Sequence, residues 1–220
     1  MLDPRSIKYK LFKGTTTVGI VCDDGVVMAT DRRVTSGFYI SHKHGKKIHK
    51  IDDHVGVTIA GVVAEAQFLV DQLASEAMLY KLENHKPIPL KSVASLASSL
   101  LFSARPFIMV VQLIIGGVDG EGPAIYEIDW YGSTTKEDKF IATGSGSPYA
   151  LGVLEAEYSR KMTLDAAIHL AVKAVYSAIQ RDPGSGEGID VAYVSKEKGY
   201  RELGDKEVEN IILKIRSRGS

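Results

Sequence analysis

The chain has 220 residues, 45% of them hydrophobic and 25% charged, which is enough for one folded domain with a substantial core and excludes a disordered tail or a fibrous repeat. Its 27 basic and 27 acidic side chains cancel, so no global field draws it to nucleic acid or an anionic membrane, and no stretch has the length and purity of a membrane span. A single cysteine, Cys22, leaves no disulfide framework and no paired-cysteine motif, and points to an intracellular, cytoplasmic chain.

Residues 1–14, MLDPRSIKYKLFKG, lack the apolar centre of a secretory signal and read as a leader ahead of a domain spanning 15–220. Residues 15–33 predict two strands, TTTVGIVCD and GVVMATDRR, because β-branched residues dominate and Asp23-Asp24-Gly25 supplies a hairpin turn. Three further strands are expected at GFYIS, KKIHKI and HVGVTIA. The period then changes. Leu69, Leu73, Ala77 and Tyr80 fall at helical spacing between Val63 and about His85, and Val93, Leu96, Ala97, Leu100, Leu101 and Ala104 mark a second helix fenced by Pro87, Pro89 and Pro106. Strands return with MVVQLIIGGVD and AIYEIDWYG. Two more helices follow, one opening at Ser147-Pro148, the next at Thr163 and closing near Asp182-Pro183-Gly184. IDVAYVS and EVENIILKI read as closing strands. This order lacks a regular βαβ alternation and predicts antiparallel sheets with helices in separate layers.

Thr15-Thr16-Thr17 alone suits the edge of a sheet. A cut before Thr15 would give that residue both a hydroxyl nucleophile and an α-amine, whose unperturbed pKa of ~7.7–8.0 makes it a base near neutrality. Asp31-Arg32-Arg33 and Lys46-Lys47 are either solvated charges at strand ends or a lysine beside Thr15 with an aspartate holding it ionised, and spacing does not choose between them. His42, His44 and His49 share no zinc pattern with an acidic or cysteine ligand. Gly144-Ser145-Gly146-Ser147 lacks the glycine-lysine pair of a phosphate loop, and no GxSxG elbow supports a serine hydrolase.

In order along the chain, KGTTTVGI, GVVMATDRR, GKKIHKI, TIAG before a helix, TGSGSPYALGVLE and DPGSGEGIDV resemble a proteasome β subunit of the archaeal type. The resemblance implies an α+β fold, the four-layer αββα sandwich of the amino-terminal nucleophile (Ntn) hydrolases, with two antiparallel sheets between helix layers. It implies a threonine endopeptidase with Thr15 as nucleophile and Gly14-Thr15 as the bond the chain cuts in itself. Asp31 and Lys47 match the pair that tunes the nucleophile, and Arg33 the arginine near that pair. Ser145, Asp182 and Ser185 match residues that hold the new amino terminus, and Gly61 the oxyanion donor. Thr35 matches a residue that pairs with extended substrate, while Val34, Gly45, His49, Ile59 and Val63 match the first specificity pocket, whose mostly apolar character implies cleavage after hydrophobic residues. No cofactor or metal is implied. The implied partners are other β subunits and α-ring subunits in stacked seven-membered rings, an ATPase unfoldase and unfolded polypeptide. The competing expectation is a β subunit that is never processed and serves only to build the ring.

Overall fold

The structure is a computed structural model that describes residues 14–37 and 39–218; residues 1–13 of the expected leader lie outside the described part. Strands β1 (Thr17–Cys22) and β2 (Gly25–Asp31) form the expected hairpin, with Cys22 opposite Gly25 across the Asp23-Asp24 turn. A small two-stranded hairpin, β3 (Val34–Ser36) and β4 (Tyr39–His42), and then β5 (Ile48–Asp52) and β6 (Val55–Gly61) follow. Helices α1 (Val63–Asn84) and α2 (Leu90–Ser103) lead to β7 (Val111–Asp119), β8 (Gly122–Ile128), β9 (Thr134–Glu137) and β10 (Phe140–Thr143). Helices α3 (Ser147–Glu157) and α4 (Leu164–Ile179) come next, then β11 (Ile189–Ser195), β12 (Gly199–Glu202) and α5 (Asp205–Arg218).

The strands pair into two five-stranded sheets, β10-β1-β2-β11-β12 and β5-β6-β7-β8-β9, every described neighbour antiparallel. The alternation of side chains along each strand builds three apolar cores from them. Val18, Ile20, Val27, Ala29 and Val191 face α3, α4 and α5. Their neighbours Val26, Met28, Ala192 and Val194 turn the other way and meet Ile114, Ile125 and Ile48 of the second sheet. Leu113, Ile115, Val55 and Val57 then face α1 and α2 on that sheet's far side. Three cores require four layers, so the chain is an αββα sandwich with two antiparallel sheets inside. Burial on both faces explains why GVVMAT reads as an unbroken apolar run instead of an alternating one.

The last element departs from expectation. EVENIILKI is helical, inside α5, because Val208, Ile211, Ile212 and Ile215 recur at three- and four-residue spacing and pack toward α4 and β11. Asp205 and Glu207 sit in its first turn, and the Glu207 carboxylate accepts the Gly204 N–H at 2.8 Å while the Glu207 N–H donates to the Gly204 carbonyl at 3.0 Å, which favours a helix start. The short polar strands β9 and β12 carry too little apolar alternation to be read from sequence, and their pairing with β8 and β11 defines them.

Ile114 is fully buried between the sheets. Ile114→Ala removes most of a side chain where two rigid sheets limit collapse, so it is expected to cost ~2–5 kcal/mol. Leu79→Ala, on the exposed face of α1, is expected to stay within ~0.5 kcal/mol. Urea midpoints of the unassembled subunit at one protein concentration measure both.

Candidate active site

Strand topology brings four element ends to one place. Thr15 lies just before β1, Asp31 ends β2, Lys47 precedes β5 and Gly61 ends β6. Thr17 is paired with Thr30, so the next residues of the hairpin, Thr16 and Asp31, also meet: the Asp31 N–H donates to the Thr16 carbonyl at 3.1 Å, and the Thr16 N–H donates to Asp31 Oδ1 at 2.9 Å. Lys47 comes from the other sheet, where its carbonyl accepts the Ile59 N–H at 2.9 Å. Its Nζ crosses the gap and donates to Thr15 Oγ1 at 2.8 Å and to Asp31 Oδ1 at 2.7 Å.

All three residues are buried, Asp31 completely and Thr15 and Lys47 at 5% exposure. Burial pushes the Asp31 carboxyl up and the Lys47 ammonium down, each shift opposed by the partner's charge. Asp31 accepts from the Thr16 N–H and Lys47 on Oδ1, and from the Arg33 N–H at 3.0 Å and the Gly186 N–H at 2.9 Å on Oδ2. Every one of these contacts is a donor, so the ionised carboxylate is the form that satisfies the site. The choice left open by the sequence is resolved in geometry: Asp31 and Lys47 are a buried pair touching Thr15, whereas neighbouring Lys46 is half exposed and pairs with Glu202 at 3.0 Å.

A second network lies on the nitrogen side of Thr15. Asp182, just beyond α4, accepts on Oδ2 from Ser145 Oγ at 2.7 Å and from Ser185 Oγ at 2.6 Å. Ser145 Oγ in turn accepts the Thr15 N–H at 3.2 Å. Because the Ser185 hydrogen is committed to Asp182, the 2.7 Å contact between Thr16 and Ser185 has the Thr16 hydroxyl as donor. Thr16 was expected to be a plain strand residue; it precedes β1 and ties the two networks together through its N–H and its hydroxyl. A threonine run gives no signal of that, since the partner is 169 residues away. Arg33 does not reach Thr15. Its guanidinium donates to the Pro183 carbonyl at 2.8 Å and to Glu187 at 3.2 Å, which clamps the loop carrying Asp182 and Ser185. Glu187 had no sequence signal either.

Thr15 and Lys47 open onto a cavity of about 700 Å³. Its walls include each residue expected in the substrate pocket, Val34, Thr35, Gly45, His49, Ile59 and Val63, together with Gly14, Arg33 and Gly61. Ser145, Asp182 and Ser185 are not among the walls, so they stand behind Thr15 while the cavity stands in front. Gly61 has φ +128, and a Cβ there would lie 2.0 Å from the Val110 carbonyl oxygen, so the strand end is restricted to glycine and its backbone borders the cavity bare. Burial and the nearby Lys46 charge push the His49 imidazole down, and its buried Nε2 has no partner among the described residues. Among the described residues no group of three histidines, cysteines or carboxylates is placed to hold a metal, and no helix is long and apolar enough to cross a membrane.

Comparison with known proteins agrees with this geometry. A family profile described as "Proteasome subunit" matches residues 11–194. The "Proteasome subunit beta 1" of Caldivirga maquilingensis is 53% identical over 194 residues, covering 88% of this chain and 94% of its own length. Its counterpart in Pyrobaculum calidifontis is 54% identical over 190 residues, 86% of this chain and 94% of that one. The "Proteasome subunit beta" of Archaeoglobus profundus is 48% identical over 210 residues, 96% and 97% of the two chains. Matches of this identity run across both sheets and both sides of the Thr15 site, and the chain belongs to the proteasome subunit family, as a β subunit of the archaeal type.

Proposed function

We propose that this chain is a threonine endopeptidase of the proteasome core, cut by itself between Gly14 and Thr15 and then hydrolysing unfolded polypeptide in a chamber enclosed by β rings. The observation that carries the reading is the 2.8 Å contact from the Lys47 ammonium to Thr15 Oγ1, with the Asp31 carboxylate 2.7 Å from the same ammonium. Family membership supports assembly with other proteasome subunits. Stacked seven-membered rings with α subunits, an ATPase unfoldase feeding them and a cytoplasmic location complete the proposal.

The chemistry runs in two phases. First, Thr15 Oγ1 attacks the Gly14 carbonyl, the acyl group passes from nitrogen to oxygen, and water hydrolyses the ester. Residues 1–14 leave with a new carboxylate and Thr15 keeps a free α-amine. Second, the same hydroxyl attacks a substrate carbonyl while its proton passes to that amine, directly or through water. The amine leaving group takes up a proton, and water then hydrolyses the acyl-enzyme. Lys47 stabilises the forming alkoxide and Asp31 keeps Lys47 charged. The Gly61 N–H is assigned to the oxyanion, and Ser145, Asp182 and Ser185 to the amino terminus. Thr35 is assigned to pairing with extended substrate, and Val34, Gly45, His49, Ile59 and Val63 to the side chain before the cut. Neither phase calls on a metal or an organic cofactor.

Mass spectrometry of the subunit after assembly with α subunits tests the reading directly. A chain beginning at Thr15 is expected from the unaltered sequence, and an intact leader with about 10³-fold or lower peptide turnover from Lys47→Ala. An intact leader on the unaltered chain in complete particles would instead make it a structural ring member.

The pH profile follows from the two charged groups beside Thr15 Oγ1. The amine must be unprotonated, and a neighbouring ammonium favours that form, so kcat/KM should rise with pH through a value below the unperturbed ~7.7–8.0. Lys47 must be protonated, and burial has moved it down, so activity should fall again below the ordinary lysine range. An alkaline limb at or above that range would contradict the assignment of Lys47.

Apolar walls at Val34, Ile59 and Val63 predict cleavage after hydrophobic residues. In a peptide series differing only before the cut, leucine is expected to exceed lysine about 10-fold or more in kcat/KM; a preference for lysine would refute it.

A further inference from the structure

The DPGSG loop supplies Asp182 and Ser185, but Gly184, between Pro183 and Ser185, touches something else. Gly184 lies with its backbone against Gly14. A Cβ added to Gly184 would come to 2.2 Å from Gly14 Cα and 3.2 Å from Gly14 C, and one added to Gly14 would come to 1.9 Å from Gly184 Cα. Both obstacles are main-chain atoms, so no change of rotamer relieves either contact. On its other side Gly14 is held by its N–H, which donates to Thr35 Oγ1 at 2.8 Å in a buried contact. The residue whose carbonyl Thr15 must attack is therefore gripped between a hydroxyl and a bare stretch of backbone.

Resting on the proteolytic reading above, we propose that Gly184 is a positioning residue for leader removal that plays no part in later peptide turnover. Its φ lies outside the left-handed region, so φ itself does not call for a glycine. The feature that demands a glycine is the neighbour, Gly14. Among the described residues, the nearest atom outside Gly14 that a Cβ at 184 would meet is Ser145 Oγ at 3.1 Å, the end of a side chain that can give by a few tenths of an ångström.

The loop cannot back away instead. The Gly184 N–H donates to Asp182 Oδ1 at 3.1 Å, the Pro183 carbonyl accepts from Arg33 at 2.8 Å, and the Gly186 N–H donates to Asp31 at 2.9 Å. A methyl group at 184 therefore displaces Gly14, and with it the carbonyl, from Thr15 Oγ1. A misplacement of about 1 Å at a reacting centre costs on the order of 10²-fold in rate. Cleavage removes Gly14, and the requirement goes with it.

The test separates the two phases with one substitution. Gly184→Ala is introduced into the full chain and into a chain whose amino-terminal fusion partner is removed to expose Thr15, and each is assembled with α subunits. In the full chain, leader loss followed by mass spectrometry is expected to slow about 10²-fold. In the leaderless chain, peptide kcat/KM is expected within about threefold of leaderless Gly184, because no atom of the charge pair is among the nearest neighbours of the new methyl group and the Ser145 hydroxyl has to move by only a few tenths of an ångström. Leader loss at the unaltered rate would overturn the proposal. So would a leaderless variant whose turnover falls as far as processing does, since that marks a general structural role. If the unaltered chain itself neither sheds its leader nor turns over peptide, the failure belongs to the proteolytic reading and is visible without the substitution.

Discussion

The site depends on one buried ion pair, Lys47 with Asp31, that spans the gap between the two sheets at 2.7 Å. Taking two charges out of water costs several kcal/mol for each ion, and their attraction repays it only when the remaining hydrogen-bonding capacity is filled. Asp31 meets that condition with three backbone N–H groups in addition to the ammonium. Those donors belong to the start of β1, the turn out of β2 and the loop before β11. The pair therefore fixes three chain segments against a fourth, the residue ahead of β5. A Thr15 hydroxyl without it would be an ordinary alcohol at the edge of a sheet.

The layering explains why such a pair can exist. Each sheet is covered by helices on its outer face and by the other sheet on its inner face, so the ends of β1, β2, β5 and β6 emerge together from an apolar interior. Side chains there are dry behind and open in front, onto the cavity that contains Thr15, Gly61 and His49. The arrangement separates two tasks. Polar groups that hold the Thr15 nitrogen come from the helix side, through Ser145 and Asp182, while the cavity in front is lined from the hairpin β3 and β4 and from β6.

Much of this was legible in the sequence, for reasons that differ by element. The β1-β2 hairpin and the helices α1, α2, α3 and α4 announce themselves through β-branched runs, turn residues and helical spacing, all local properties. α5 was misread because the three adjacent apolar residues Ile211, Ile212 and Leu213 look like a strand and hide the helical spacing of Val208, Ile211, Ile212 and Ile215. Short polar strands such as β9 gain their identity only from the partner they pair with. At the site, individual residues were found through resemblance in motif order, because the partners of Thr15 lie 32 and 130 positions away. Thr16, Glu187 and Gly184 were missed for the same reason in reverse: each acts through contacts distant in sequence that leave no local pattern.

The hydroxyl of Ser145 has one hydrogen, and the 2.7 Å contact to the Asp182 carboxylate claims it over the 3.4 Å approach to the Thr15 carbonyl. Toward the Thr15 nitrogen, Ser145 can therefore only receive. With an amide at that point the demand is met by its single N–H, and the nitrogen has no electron pair to offer. With a primary amine the same demand still draws an N–H toward Ser145, and the lone pair is turned away from it. One serine thus sets where an N–H at position 15 points, for the amide present here and for a primary amine in its place.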